Sequence, residues 1–254
     1  MCTMGYKNLK FMNREWLLDV DNRSNIIKNL TKNYSNFKYL PEELLNDKTF
    51  CLSLITEDSY TIRFLPEKIQ DDFEIGYQVI NKYGPYLKYL SPRLRNNSSI
   101  VLESVKGNGE SLEYAHETLK DNYEIVFNAV NEDGIALKYA SPRLKNNENI
   151  VLCAIAKNGN NIKYASEILR NNEAIMTKAV SNRGDSIQYG SDNIKSNFII
   201  GMISIKKYYG NIIFLNDNLK NNYHICKEAF LIGNKKALPF LNEKFRNDFE
   251  INLI

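Results

Sequence analysis

The residues of this 254-residue chain that could do chemistry are few. There are two histidines, His116 and His224, far apart in sequence. The four cysteines, Cys2, Cys51, Cys153 and Cys226, include no C-x-x-C pair and no close neighbours, so zinc-ligand spacing is absent. Free thiols in a reducing interior are the expectation. No H-E-x-x-H, phosphate-binding loop or dinucleotide fingerprint occurs. Gly107-Asn108-Gly109 looks like a glycine-rich loop, but Gly109 belongs to a series of helix-terminating glycines. No catalytic residue, metal site or cofactor is therefore expected, and the chain reads as non-enzymatic.

The other ionisable residues recur every 25 positions. Glu42, Glu67, Glu117, Glu167, Asp192, Asp217 and Glu243 make an acidic column. Carboxylates at the start of a short helix complement its positive end, and a role repeated so often is structural rather than one acid–base site. His116 stands where other repeats place Ser or Pro, which assigns it a capping or surface role. Arg95, Lys120, Lys145, Arg170, Lys195, Lys220 and Arg246 make a basic column. A weaker one runs through Lys38, Arg63, Lys88, Lys138 and Lys163. In a stacked repeat, residues in phase become a stripe. The first basic column is the candidate binding site, able to meet phosphates or an acidic protein. Its structural alternative is capping of helix C-termini. With 33 basic and 30 acidic residues the formal charge is only +3, which favours capping and does not by itself indicate a nucleic acid or membrane partner.

What must position these columns is a 25-residue repeat. Aromatics stand at Tyr39, Phe64, Tyr89, Tyr114, Tyr139, Tyr164, Tyr189 and Phe214, each step being 25 residues. Phe240 follows after 26, so the last repeat carries a one-residue insertion, expected near Pro239. Ile150, Val151, Ala154 and Ile155 fall at i, i+1, i+4 and i+5, one face of a helix of about ten residues. The second residue of each Asn/Asp pair, as in Asn146-Asn147, is placed to cap that helix, and Glu74, Glu124, Glu148 or Glu173 follows in the first turn. Gly84, Gly109, Gly134, Gly159 and Gly184 fit a C′ position of positive φ. The rest of each repeat is a shorter helical piece, one bent helix or two single turns, with Ser91-Pro92 and Ser141-Pro142 as N-cap and N1. Small residues in phase (Ala129, Ala154, Ala179, Ser204, Ala229) let helices approach closely, and stacked aromatics should fill the space between layers. Each buried ring would contribute about 1.5–3 kcal/mol.

Segments such as LKYASPRLKNNENIVLCAIAKNG and IKYASEILRNNEAIMTKAV resemble the tandem repeats grouped as the domain of unknown function DUF4116. The resemblance runs from about residue 37 to 250 and is strongest between 85 and 195. It implies an α-helical repeat fold, no defined activity, and the character of an interaction module of intracellular bacteria, protists and large viruses. Pro41, Pro66, Ile199, Ile200 and the insertion near Pro239 depart from its pattern.

The resulting expectation is an all-α solenoid of about nine 25-residue repeats, with residues 1–31 as an N-terminal cap and degenerate repeat and residues 32–254 as one continuous solenoid. No segment approaches the roughly 20 apolar residues of a membrane span. The start has no apolar signal region. A soluble, intracellular protein is expected, in the host-cell cytoplasm if the source is a parasite or virus. Its expected function is a protein-interaction scaffold with an unidentified protein partner; the alternative is polyanion or nucleic-acid binding through the basic stripe.

Overall fold

The computed structural model describes residues 9–251. Only α- and 3-10 helices occur among them, with no strand. The first eight residues of the expected cap, Cys2 included, and the last three residues of the chain lie outside the described part. The chain forms two compact halves, residues 1–119 and 120–254.

One repeat of the C-terminal half shows the local logic. Asn147 is extended, and its side chain accepts from the Ile150 amide at 3.2 Å, which starts the ten-residue helix Glu148–Lys157. Ile150, Val151, Ala154 and Ile155 are its buried face, each at most 2% exposed. Asn158, at φ −157°, ends that helix, and its side chain accepts from the Asn160 amide at 3.0 Å to start the 3-10 helix Gly159–Tyr164. Ser166 then caps the four-residue helix Glu167–Arg170 by accepting from Leu169 N at 3.2 Å. The shorter half of the repeat is thus two pieces joined by an extended residue, not one bent helix. Ser91 and Ser141 cap with Pro at N1, as expected.

The same order runs through both halves. In the N-terminal half the long helices are Arg23–Lys32, Lys48–Glu57, Phe73–Lys82 and Ser98–Gly107. Arg23–Lys32 has full length and lies in phase, with Ile26 and Leu30 inaccessible; only the short pieces before it are atypical. Pro41 and Pro66 occupy the cap-serine position and cap without a side-chain hydrogen bond. In the C-terminal half the long helices are Tyr123–Glu132, Glu148–Lys157, Glu173–Asn182, Phe198–Lys207 and Tyr223–Gly233. The last has eleven residues because Gly233 takes the position that elsewhere is the extended C-cap; the 3-10 helix after it, Asn234–Phe240, starts in phase but has seven residues in place of six and contains Pro239, so the insertion lies in that turn. Asn234 absorbs it at φ 51°, the one non-glycine residue of positive φ among those described.

Two expectations need correction. Among the described residues no glycine has positive φ. The recurring glycine is required by close approach instead: a Cβ on Gly84 would lie 2.6 Å from the Ser104 carbonyl oxygen, and one on Gly134 2.8 Å from that of Ala154. Ser104 and Ser204 use the same proximity, donating from Oγ to the carbonyls of Gly84 and Gly184 at 2.8 and 2.7 Å. The aromatic column is not core either. Its members from Tyr39 to Phe214 are half-buried and Phe240 is exposed, whereas the aliphatics two residues earlier, such as Leu87, Leu137 and Ile187, are inaccessible. The 3-10 turn points the aliphatic inward and the ring toward the rim, so the rings forgo part of the burial energy expected of them.

Consecutive repeats are tied by two kinds of rung. The cap residue's amide donates to the carbonyl ending the previous four-residue helix: Ser91 to Gln70 at 3.1 Å, His116 to Arg95 at 2.9 Å, Ser166 to Lys145 at 2.9 Å. Its hydroxyl donates to the first residue of the previous Asn/Asp pair: Ser166 to Asn146 and Ser191 to Asn171 at 2.5 Å, Ser91 to Asp71, and Ser141 to Asp121.

Candidate interaction surface

Arg95, Lys120, Lys145, Arg170, Lys195, Lys220 and Arg246, the column selected from the sequence, are all half-buried. All but Arg246 end a four-residue helix. Part of their donor capacity is turned onto main-chain carbonyls. Arg246 Nε and Nη2 donate to Leu238 and Leu241 at 3.2 and 3.3 Å. Gln70, in the same position, donates to Ile62 and Leu65 at 3.2 and 2.9 Å. Arg170 reaches the Tyr189 carbonyl at 3.4 Å, and Lys220 lies 3.7 Å from Asp217. Burial pushes the Lys145 ammonium pKa down. The acidic column opens the four-residue helices, as at Glu42, Glu67 and Glu167.

The weaker basic column is the outward one. Lys38, Arg63, Lys88 and Lys163 are exposed and Lys138 half-buried. Each lies over the ring that follows it: Lys38 Nζ is 5.1 Å from the Tyr39 centroid, Arg63 Cζ 5.1 Å from Phe64 and Lys88 Nζ 4.8 Å from Tyr89. In the C-terminal half Lys138 and Lys163 lie 4.4 and 4.8 Å from Tyr139 and Tyr164. A cation over an aromatic face is attracted by the ring quadrupole, by about 0.5–1 kcal/mol at exposed sites.

In the N-terminal half further rings crowd this column. Tyr60 lies 5.8 Å from both Tyr86 and Tyr89, and Tyr34 lies 5.2 Å from Phe64. Tyr34 donates to Asp58 at 2.5 Å; that hydrogen bond, with burial, pushes its phenol up to about 12. In the C-terminal half the character changes along the chain. Gln188 and Ile213 replace the cation, and Tyr208, Ile213, Phe214 and Phe240 line an open cleft of about 580 Å³ together with Arg183, Asp185 and Lys207.

His116 Nδ1 accepts from the Thr118 amide at 3.3 Å, a cap as expected. Cys51, Cys153 and Cys226 are unpaired, and burial pushes the Cys51 and Cys226 thiols up to about 12 and 11. Among the described residues no three His, Cys, Asp or Glu side chains gather to hold a metal. No helix among them is long and apolar enough to cross a membrane. The first residue of the Asn/Asp pair had no role in the sequence reading. Its signal was present, because it recurs beside the cap residue in the same phase as the serine that it meets.

Helix, 3-10 turn and short helix in 25-residue register, joined by caps that reach into the next repeat, define an all-α, solenoid-like tandem-repeat protein. The family model described as Domain of unknown function (DUF4116) matches at residues 22–70, 72–120, 122–170 and 147–195, more than half of the chain. The chain belongs to that family. Each match spans two of the 25-residue repeats. No curated protein and no solved structure matches the chain.

Proposed function

We propose that this chain is a non-enzymatic repeat scaffold that mediates protein–protein interaction. The observation carrying this reading is the recurrent, half-buried aromatic column with cations on its rings. Tyrosine, which fills six of the nine positions of that column, is among the side chains enriched at protein interfaces. The in-phase Asn and Asp side chains, such as Asp47, Asp72, Asn122 and Asn147, cap the long helices, and the acidic column lies in the first turn of the short ones, which supports a structural rather than catalytic use of these polar residues. Polyanion binding through Arg95, Lys120 and their column draws less support, because those side chains are half-buried at helix ends.

The test is affinity purification of the tagged full chain with chemical crosslinking, beside a Tyr139→Ser/Tyr164→Ser variant of unchanged helicity. A partner recovered reproducibly and lost with the variant is the expected result. Repeated recovery of no partner refutes the reading.

A further inference from the structure

We propose that Lys38, Arg63 and Lys88, seated on the aromatic side chains of the N-terminal half, form a docking strip for an extended acidic peptide carrying a carboxylate at about every third residue. The proposal rests on the scaffold reading above and names the partner's chemistry. All three cations are exposed, and among the described residues none forms an ion pair. Arg14, Arg23, Lys48 and Arg93 of the same half are paired with Glu43, Asp47, Asp72 and Asp71. The three cations therefore lack the direct carboxylate partner that those four have, with Asp58 among the same rings and Glu113 at the column's next position as the nearest acidic groups of the strip.

Spacing sets the peptide's pattern. Arg63 Cζ and Lys88 Nζ share the Tyr89 ring, 5.6 and 4.8 Å from its centroid, so they are at most about 10 Å apart, a separation that three extended residues at about 3.3 Å each can bridge. Arg63 spends one Nη1 hydrogen on the Tyr60 hydroxyl. A guanidinium has five donors in a fork that matches a carboxylate, so capacity remains. The ring beneath each cation fixes its position and lowers the ordering cost of binding.

The same geometry disfavours a nucleic acid. Single-stranded binders offer free ring faces on which bases stack. Here Tyr60 lies against both Phe64 and Tyr89, with centroids 6.1 and 5.8 Å away, and Arg63 lies over all three rings. Asp58, held by Tyr34, adds a carboxylate among these rings that would repel a continuous phosphate backbone. A peptide can place its carboxylates around that charge.

The test is fluorescence anisotropy of the full chain with a labelled twelve-residue peptide repeating Glu-Gly-Ser, beside labelled oligouridylate of equal charge. Saturable peptide binding is expected, weakened by about tenfold or more in the combined Lys38→Glu/Arg63→Glu/Lys88→Glu variant and changed by less than about threefold in Lys38→Arg/Arg63→Lys/Lys88→Arg. Circular dichroism confirms that both variants keep their helicity. Absence of peptide binding, binding indifferent to charge reversal, or tighter binding of oligouridylate at the same residues each overturns the proposal. The crosslinking experiment separates the two ideas. Partners crosslinked only at other surfaces overturn the acidic strip and keep the scaffold, whereas no partner at all removes the scaffold itself.

Discussion

Replacing Gly159 by alanine puts a methyl group against the carbonyl oxygen of Ala179, 2.8 Å from Ser186 Oγ and 3.0 Å from the Arg183 amide nitrogen. Two of these neighbours are backbone of the next repeat and cannot swing aside. Forcing a methyl into a filled site costs about 1–3 kcal/mol. Removing glycine's freedom from the unfolded chain returns about 0.4–1 kcal/mol, since φ here is ordinary. The net expectation is a loss of about 1–2 kcal/mol for Gly159→Ala, a five- to thirtyfold shift in the folding equilibrium. Gly159→Asn discriminates the cause. At a left-handed C′ position asparagine is tolerated better than alanine. Against a wall of backbone it is worse, and a loss of about 3 kcal/mol or more is expected. Urea unfolding followed by circular dichroism measures both, with hydrogen exchange at residues 179–186 locating the damage. Asparagine milder than alanine refutes the close-approach account.

Two further predictions concern the caps. Asn147→Ala removes the acceptor for the Ile150 amide and should cost about 1 kcal/mol, while Asn147→Asp should be nearly neutral; chemical denaturation of the two variants tests this. The Ser141 hydroxyl and then Arg143 hold the Asp121 carboxyl below its usual value, so the folded chain takes up that proton less readily than the unfolded one. This contribution is present above the unfolded carboxylate value of about 4 and disappears as pH falls through the folded value. Thermal midpoints of Asp121→Asn between about pH 3 and pH 7 should therefore fall less steeply on acidification than those of the parent chain. An unchanged acid limb refutes the rung's ionic character.

Features decided within a few residues were readable from the sequence. Asn147 and Ser141 cap as expected because an N-cap and the amides that it serves lie within three positions of each other. Ile150, Val151, Ala154 and Ile155 share a buried face because helical geometry alone sets which residues align. Features decided by the next repeat were not readable. Gly134 was read as a C′ residue of positive φ, but the reason for it lies in the Ala154 carbonyl 20 residues on. The period gave the phase of Tyr89 and Arg95 without saying which way either turns. Phase makes a stripe, but only the 3-10 turn sends Leu87 inward and leaves Tyr89 and Lys88 at the surface. The column chosen as the binding stripe and the one that lies outermost therefore differ, though both stood in the sequence with the same period.

The rungs between repeats bear on how such a chain changes length over time. Ser166 Oγ receives the Leu169 amide of its own short helix and gives its hydrogen to Asn146 of the preceding repeat. Ser91, Ser141, Ser166 and Ser191 all carry this donor and meet the same acceptor position, so among these copies a duplicated or deleted stretch of 25 residues meets a matching partner at both new junctions. A single inserted residue does not, and the last repeat shows what it requires: a seven-residue 3-10 turn and a backbone of positive φ at Asn234. Descent by whole-repeat gain and loss is thus the inexpensive route, and copy number, more than point substitution, is the variable by which relatives of this chain are expected to differ.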